Sequence, residues 1–243
     1  MSKTFAGAMD WPAEQAGPRP GLPRLVDTAL ALAGLVATSP LLLLAAAAVA
    51  STSPGPVFFR QQRIGRGGRS FTLLKLRTMT ANAANAANTA DTAGGELTAA
   101  GDYRITPVGR WLRRFKLDEI PQLWQVVRGD MSLVGPRPEV PRFVDSSDAL
   151  WRQVLAARPG LTDPVTLRLR DEEALLKAAG GDDVEGFYRE RLLPWKLRGY
   201  RDYLERRNWA TDLAVLAATA LAVVRLRRPK PLQLAEIDGR EAR

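Results

Sequence analysis

Two adjacent acids, Asp118 and Glu119, are the residues of this chain best suited to chemistry. The segment from Tyr103 to Gly129 carries six basic residues and only these two acids. Consecutive side chains on a helix point about 100° apart, so the two carboxylates are poorly placed to act on one bond from opposite sides. Separate roles fit better, one as a nucleophile and the other as a metal ligand or orienting group. The alternative is structural, a helix N-cap with surface salt bridges.

The surrounding cations favour ionised carboxylates. Arg110, Arg113, Arg114 and Lys116 all lie shortly before Asp118 in the chain. Because positive neighbours and a helix N-terminus stabilise the charged form, the sequence predicts lowered carboxylate pKa values. A lowered pKa would keep a carboxylate nucleophile available at neutral pH.

Composition narrows the chemistry further. The 243 residues include no His and no Cys, which removes the usual general base, thiolate sites and the commonest transition-metal ligands. Catalysis would therefore use carboxylates, hydroxyls, Lys, Tyr or a hard metal such as Mg²⁺. The net charge of +9 indicates anionic partners, which could be phosphates, nucleic acid or an acidic membrane surface.

Further cations stand in positions suited to phosphate binding. Arg137 lies between Pro136 and Pro138, which restrict the backbone and present the guanidinium from a stiff, extended segment. Lys75 and Arg77 alternate with leucines on a predicted strand, which places both cations on one face. A solvated turn and a solvated strand face are the simpler alternatives.

Local patterns place the two acids between two short helices. Thr106-Pro107 is typical of an N-cap followed by Pro in the first turn, and it predicts a helix through Phe115. Apolar residues at i, i+3, i+4 and i+7 from Ile120 predict a second helix that ends at Gly129. The acids therefore lie at or just before a helix N-terminus.

The longest apolar segment runs from Leu25 to Ala50 and is interrupted by Asp27 near its start. As a straight helix of about 39 Å it is long enough to cross a hydrocarbon core of about 30 Å. Ser39-Pro40 in its middle predicts a kink, because Pro removes a backbone hydrogen bond, and Ser can satisfy the carbonyl that is freed. Basic residues flank both ends, which favours the same side for both. A spanning helix and a re-entrant hairpin both remain open.

The remaining patterns complete a mostly helical α+β fold. Residues 57–63 and 71–77, joined by a Gly-rich basic turn, predict a β-hairpin. The Ala/Asn-rich residues 80–100 predict a surface loop or marginal helix. In the helical C-terminal third, Ala210 to Val224 is either an interfacial helix or a buried core helix. We divide the chain into a flexible N-terminus, a membrane helix, a compact domain that carries the acids, and a tail, at residues 1–23, 24–52, 53–228 and 229–243.

Four motifs, in this order and spacing, resemble the signature of the bacterial sugar transferases, the monotopic polyprenol-phosphate phosphoglycosyl transferases. They lie at residues 56–61, 74–79, 117–123 and 129–138. Four long motifs in order are hard to obtain by chance, so we regard the resemblance as highly specific. The short N-terminus implies the minimal form of the family.

The resemblance implies a monotopic enzyme of the bacterial inner membrane, with its catalytic domain facing the cytoplasm. It would move a sugar-1-phosphate from a nucleoside diphosphate sugar, expected to be a UDP-sugar, onto a polyprenol phosphate such as undecaprenyl phosphate. The nucleoside monophosphate would be released, as the first membrane step of a polysaccharide or glycoconjugate pathway. Ser39 and Pro40 would mark the break of the family's re-entrant helix.

The resemblance also implies residue roles. Asp118 would be the nucleophile that forms a covalent phosphosugar intermediate, and Asp118 and Glu119 would hold Mg²⁺. Arg137 matches the family's phosphate-gripping arginine. Five further cations are expected to bind substrate phosphate: Lys75, Arg77, Arg104, Arg114 and Arg158.

One departure from the family concerns specificity. After residues 158–162 the chain continues as Asp163-Pro164-Val165-Thr166, where the commoner run is Gly-aromatic-Ala-Gln-Val. The sugar and the nucleotide base therefore cannot be carried over from the best-known members.

Two other hypotheses remain. One keeps the substrates but uses direct transfer, with Asp118 as a base. The other is a non-catalytic, membrane-anchored basic adaptor that binds acidic lipid or nucleic acid. For the transferase we expect membrane lipid as a partner and no nucleic acid, and the oligomeric state stays open.

Overall fold

The N-terminal helix of this computed structural model, α1, spans Arg24–Thr52 as one continuous helix of 29 residues. The structure describes residues 17–80, 97–98, 101–180, 183–224 and 232–237. Much of the predicted N-terminal segment, the Ala/Asn-rich loop and the tail lies outside the described residues.

Short helices dominate the rest of the described chain. They are α2 (Pro107–Arg114), α3 (Gln122–Arg128), α4 (Ala149–Ala156), α5 (Pro164–Arg168), α6 (Glu172–Gly180), α7 (Val184–Phe187), α8 (Leu193–Arg206), α9 (Trp209–Val223) and α10 (Leu234–Ile237). A π-helical segment, Tyr188–Leu192, joins α7 to α8. The predicted mostly helical α+β content is confirmed.

The strands form two small sheets. They are β1 (Phe58–Ile64), β2 (Ser70–Leu76), β3 (Ser132–Val134) and β4 (Gly160–Thr162). Strands β1 and β2 pair antiparallel, which confirms the predicted hairpin. Its turn contains Gly67, whose φ of 67° lies in the left-handed region that favours glycine.

The parallel pair β3–β4 has no counterpart in the sequence analysis. Each strand has three residues, too few to show a period of two. The two segments approach very closely, since a Cβ added to Gly160 would lie 2.1 Å from the backbone nitrogen of Gly135. Glycine is therefore required at this crossing.

The core extends into the predicted tail. Leu232 and Ile237 are 8% and 6% exposed and join the largest buried cluster, which is built mainly from α4 to α8. Arg168 forms an ion pair with Glu236 at the same place. Residues 232–237 therefore pack against the folded body and complete its apolar core at this place.

Helix α1 continues through Ser39-Pro40 without a turn. Pro40 has no N–H to donate to the carbonyl of Val36, and the Ser39 hydroxyl donates to that carbonyl instead, at 2.8 Å. The chain therefore passes the proline as a single helix, and the predicted two-helix hairpin has no separate turn in this structure. Among the described helices, only α1 is long and apolar enough to cross a membrane.

Both ends of α1 are fixed to the same body. Near its N-terminus, the buried carboxylate of Asp27 accepts a hydrogen bond from the backbone N–H of Leu133 at 2.9 Å. At its C-terminus, the guanidinium of Arg77 donates to the carbonyls of Ser53, at 2.7 Å, and Pro54. Apolar side chains along the helix are meanwhile exposed, including 71% of Leu43.

Helix α9 has features of both alternatives for residues 210–224, the buried core helix and the interfacial helix. One face is buried, through Asp212, Val215 and Ala222. The opposite face is apolar but uncovered, with Trp209 62% and Leu213 41% exposed. The helix therefore packs on the core and also presents an apolar surface.

Candidate active site

Asp118 and Glu119 lie in a 3₁₀ turn, Leu117–Glu119, between α2 and α3. Lys116 starts the turn with a φ of 57°, a left-handed conformation that is uncommon for a non-glycine residue. Gly129, with a φ of 99°, ends α3. The predicted junction between two helices is confirmed.

Neither acid acts as a helix cap. The N-cap residue of α3 is Pro121, and among the described residues no side chain caps this helix. Asp118 is 6% exposed, so a surface ion pair does not explain it either. The structural alternative for the pair is therefore wrong at Asp118.

Glu119 is held by two cations from different elements. Its Oε1 accepts from Nζ of Lys75 at 3.0 Å and from Nη2 of Arg137, and its Oε2 accepts from Nη1 of Arg137 at 3.3 Å. Burial opposes ionisation, but Arg137 and Lys75 hold the pKa of Glu119 well below its usual range. Glu119 is thus a fixed, ionised carboxylate.

Asp118 is in a different state. Its Oδ1 is buried and has no hydrogen-bond partner among the described residues. Burial and the negative charge of Glu119 raise the pKa of Asp118, against the pull of Lys75 and Lys116. The predicted lowering is therefore confirmed for Glu119 and wrong for Asp118, because Asp118 is desolvated beside a second carboxylate.

The acids open into a cavity of about 1580 Å³ with two kinds of wall. Around the acids the lining is cationic, with Lys75, Arg110, Arg113, Arg114, Lys116 and Arg137. The lining also includes residues of α1, α3, β3, β4 and α9, four of which are leucines: Thr38, Leu123, Leu133, Leu161 and Leu216. The cavity therefore offers cations to a polyanion and apolar side chains to apolar groups.

The structure brings together some of the predicted cations and separates others. Lys75 and Arg137 meet at Glu119, and Arg114 lines the cavity with its guanidinium over the ring of Phe115. Arg104 is not among the lining residues and forms an ion pair with Asp102 at 2.5 Å.

Two predicted phosphate ligands have other roles. Arg77 borders the cavity, but it is only 2% exposed and its terminal nitrogens bind the carbonyls of Ser53 and Pro54. Arg158 lines a second cavity together with Arg24. Neither position was deducible from spacing, because both depend on contacts across the fold.

Sequence reasoning missed a buried polar network beside the site. Glu139 accepts from the hydroxyl of Tyr188 at 2.5 Å, and Nζ of Lys196 donates to the same hydroxyl at 2.9 Å. Lys196 also lies 3.4 Å from Glu172. All four border the cavity. Of these four residues, the sequence could have indicated only Glu139 as a site residue, since it directly follows the motif at residues 129–138.

The donor set bears on the expected Mg²⁺. Among the described residues no group of three or more acidic, His or Cys side chains comes together. Mg²⁺ is commonly held by one or two carboxylates, substrate phosphates and waters. The unpartnered Oδ1 of Asp118 suits such a shared site, whereas most acceptor positions of Glu119 are already used.

Comparison with known proteins gives consistent matches. A profile described as bacterial sugar transferase matches residues 19–226. A UDP-glucose:undecaprenyl-phosphate glucose-1-phosphate transferase of Caulobacter vibrioides is 45% identical over 202 residues, 81% of this chain and 67% of that protein.

Two further relatives are longer than the region they share with this chain. A UDP-N-acetylgalactosamine-undecaprenyl-phosphate N-acetylgalactosaminephosphotransferase of Aeromonas hydrophila is 38% identical over 57% of this chain and 32% of its own length. A UDP-glucose:undecaprenyl-phosphate glucose-1-phosphate transferase of Xanthomonas campestris is 34% identical over 82% of this chain and 38% of its own length. The chain thus spans about a third of these two relatives.

Proposed function

This chain belongs to the bacterial sugar transferase family, and we propose that it transfers a sugar-1-phosphate from a nucleoside diphosphate sugar to a polyprenol phosphate. The observation that carries the proposal is the state of Asp118. Asp118 lines a large cavity together with several cations, and its Oδ1 has no hydrogen-bond partner among the described residues, so this carboxylate is suited to nucleophilic attack on phosphorus.

The reaction proceeds in two displacements. Asp118 attacks the phosphorus that bears the sugar, the bond from that phosphorus to the bridging oxygen breaks, and nucleoside monophosphate leaves with the bond's electrons. A phosphate oxygen of the acceptor then attacks the same phosphorus, and the bond to Asp118 breaks. The acceptor gains the sugar-1-phosphate and the carboxylate of Asp118 is regenerated.

Glu119 and its partners organise this chemistry. Because Glu119 is pinned by Arg137 and Lys75, its charge sits at a fixed place beside Asp118 and increases the basicity of the nucleophile. The cations around the cavity stabilise the negative charge that gathers when two phosphate-bearing substrates meet.

Mg²⁺ belongs to the proposal as well. When bound, it would neutralise charge on the donor diphosphate. Asp118, with the remaining lone pair of Glu119 Oε2, would supply the protein oxygens, and the substrate phosphates would supply others.

The substrates follow from the cavity and from the relatives. The apolar side chains that line the cavity are suited to a polyprenyl chain, and its cations are suited to phosphates. The printed names of the relatives support a UDP-sugar as the donor and undecaprenyl phosphate as the acceptor in this chain too.

We propose a monotopic arrangement at the bacterial inner membrane, with the catalytic domain in the cytoplasm, and the attachment of α1 supports the monotopic part of this proposal. Asp27 near one end of the helix and Ser53 just beyond the other are both hydrogen-bonded to the same body. A helix crossing the bilayer would carry these ends to opposite sides. We therefore propose that α1 stays in one leaflet as a re-entrant element, and the expected bend at Ser39-Pro40, where the structure has a continuous helix, stays a prediction.

Turnover and adduct formation test the function. Detergent-solubilised protein, Mg²⁺, undecaprenyl phosphate and a panel of nucleotide sugars should release nucleoside monophosphate, and we expect UMP from a UDP-sugar. With the donor alone, mass spectrometry should find a phosphosugar adduct on Asp118, and Asp118→Asn should abolish both. Asp130→Asn, which removes a partner of Arg128, is the matched control and should leave both intact.

Each result separates the hypotheses. Wild-type turnover by Asp118→Asn would refute the nucleophilic role. Turnover that needs Asp118 but never shows an adduct would favour direct transfer with Asp118 as the base. Absence of turnover with every sugar would favour the adaptor.

The membrane arrangement has its own test. Single cysteines replacing Ser2 and Ser70 lie on either side of α1 in the chain, and the natural sequence has no other cysteine. A membrane-impermeant thiol reagent should label both from the same face of the membrane. Labelling from opposite faces would contradict the re-entrant arrangement.

A further inference from the structure

A second cavity, of about 480 Å³, lies where the chain enters α1. It shares none of its described lining residues with the active-site cavity. We call it the arginine cavity, because five arginines from four separate parts of the chain line it: Arg19, Arg24, Arg66, Arg158 and Arg207.

Two of these arginines are paired within the protein. Arg24 forms an ion pair with Asp27 at 3.2 Å, and Arg207 forms one with Asp212 at 3.0 Å. Both acids are almost completely buried, at 2% and 0% exposure. These pairs fix two walls of the cavity and contribute no net charge.

The other three arginines leave an excess of positive charge. Arg66 donates from Nε to the carbonyl of Ala156 at 3.2 Å, which does not neutralise it. Arg19 and Arg158 have neither an ion pair nor a hydrogen bond from the side chain among the described residues. Five arginines against two aspartates leave a net charge of +3 around one cavity.

Arg158 is where this excess is concentrated. Its partial burial and the positive charges of Arg24 and Arg66 lower its pKa. Asp27 offsets part of this repulsion, but a guanidinium held among like charges with no ion pair of its own is electrostatically unfavourable, and a bound anion relieves this. Guanidinium groups match phosphate oxygens especially well, because they can form two parallel hydrogen bonds.

The residues next to the arginines in the chain are apolar and exposed. Leu25 directly follows Arg24 and is 85% exposed, and Trp209 lies two positions after Arg207 and is 62% exposed. Cations beside exposed Leu and Trp are the combination found at membrane interfaces, where headgroups meet hydrocarbon. A soluble anion would need no exposed apolar residues next to these arginines in the chain.

We propose that the arginine cavity binds the phosphate of an anionic phospholipid headgroup. Arg158, Arg66 and Arg19 contact the phosphate, and Leu25 and Trp209 contact the adjoining hydrocarbon. The site is separate from the substrate cavity and would fix the N-terminal end of α1 against the bilayer surface. It does not depend on the proposed catalytic function.

Lipid binding to delipidated, detergent-solubilised protein tests the proposal. The probes are phosphatidylglycerol, the zwitterionic phosphatidylcholine and soluble glycerol 1-phosphate, each titrated and measured by native mass spectrometry. Phosphatidylglycerol should bind most tightly. Arg158→Gln should weaken that binding about tenfold or more, the loss expected when a charged hydrogen-bond donor is removed.

Two matched variants keep the test decisive. Arg66→Gln changes an exposed side chain of the hairpin turn and should also weaken phosphatidylglycerol binding, even if Arg158→Gln folds poorly. Arg69→Gln removes the same charge three positions away, from a residue that does not line the cavity, and should leave binding unchanged.

Three outcomes would overturn the proposal. One is equal binding of phosphatidylcholine and phosphatidylglycerol. Another is a loss in Arg69→Gln as large as in Arg66→Gln. In the third, glycerol 1-phosphate binds as tightly as the lipid, which would assign the cavity to a soluble phosphate ester instead.

Discussion

Arg137 binds Glu119 through both terminal guanidinium nitrogens, one on each carboxylate oxygen. This two-point contact fixes the rotation of the carboxylate as well as its position, which a single hydrogen bond cannot do. Glu119 directly follows Asp118, whose Oδ1 has no hydrogen-bond partner in the part of the chain that the structure describes, so the two-point contact bears directly on the proposed nucleophile.

Replacing Arg137 by Lys should separate charge from geometry. Lysine keeps the positive charge but cannot form the two-point contact, so we expect kcat to fall roughly 10²-fold, the size of effect seen when one preorganised donor is lost. UMP release measures the rate. Arg128→Lys, in an exposed pair with Asp130, is the control and should retain full activity. Unchanged kcat in Arg137→Lys would show that only the charge matters.

The pH dependence of activity should report the pKa of Asp118. Attack requires the ionised form, so kcat/KM rises with pH through this pKa, which burial and Glu119 raise above its usual value of about 3.9. Glu119→Gln removes a negative charge that raises the pKa of Asp118. It also leaves Lys75 without its ion-pair partner, so that Lys75 lowers the pKa of Asp118 more strongly. The acidic limb should therefore move to lower pH, although the maximal rate falls.

The pH–rate profiles of wild type and Glu119→Gln measure the direction in which the acidic limb moves. Glu185→Gln, whose partners Arg142 and Arg189 lie elsewhere, should not move the limb. A shift to higher pH in Glu119→Gln would mean that Glu119 does not raise the pKa of Asp118.

What sequence reasoning predicted correctly was local. The N-cap at Thr106, the Gly129 stop and the basic hairpin turn each act within a few residues, so the elements they define follow from the chain itself. These signals sufficed to place Asp118 and Glu119 at the junction of two helices.

What it missed depends on contacts across the fold. The raised pKa of Asp118 comes from burial, which no local pattern encodes. Arg77 and Arg158 look like phosphate ligands in a basic sequence, but their surroundings are set by segments more than 20 residues away. Composition cannot distinguish an arginine that binds substrate from one that binds a carbonyl.

Gly109 should be intolerant of even a methyl group. A Cβ there would lie 2.0 Å from the carbonyl oxygen of Thr78, so α2 would have to move away from the backbone after β2. Such overpacking costs about 1–3 kcal/mol. Because Arg113 on α2 donates to the hydroxyl of Thr78 at 2.8 Å, activity should fall together with stability in Gly109→Ala.

Thermal unfolding and UMP release of the same samples measure both effects. Gly17→Ala is the matched control, since among the described residues, apart from its chain neighbours, no atom lies within 4 Å of the added Cβ. Wild-type stability of Gly109→Ala would show that α2 can shift without cost.

Lys196 should be important for stability. It is 3% exposed and lies 3.5 Å from Glu139 and 3.4 Å from Glu172. Lys196→Met leaves buried carboxylate charge without its main partner, which costs about 3–5 kcal/mol. Chemical denaturation should show this loss, whereas Lys177→Met, an exposed lysine on α6, should be neutral.

The same cluster predicts how the stability penalty of Lys196→Met changes with pH. Burial opposes the charge, but Glu172 and Glu139 raise the pKa of Lys196. A raised folded-state pKa contributes stability that is complete below the unfolded pKa of about 10.4 and is lost as pH rises through the folded value. The penalty in Lys196→Met should therefore be constant through neutral pH and shrink in strong alkali. A penalty that grew with pH would contradict this assignment.

Arg77 should behave as an anchor of α1 and not as a substrate ligand. Its guanidinium is buried and binds the carbonyls of Ser53 and Pro54, so Arg77→Met removes charged hydrogen bonds that fix the end of the helix. Each such bond contributes about 1.5–3 kcal/mol, and the unfolding temperature should fall accordingly. The KM for the nucleotide sugar should stay near wild type in the folded fraction, since Arg77 is not expected to contact that substrate. Lys75→Met should do the opposite, with a raised KM or lowered kcat and little change in stability, because Glu119 keeps its two-point contact with Arg137 and burial disfavours the charge of Lys75. A raised KM in Arg77→Met without loss of stability would return Arg77 to the phosphate site.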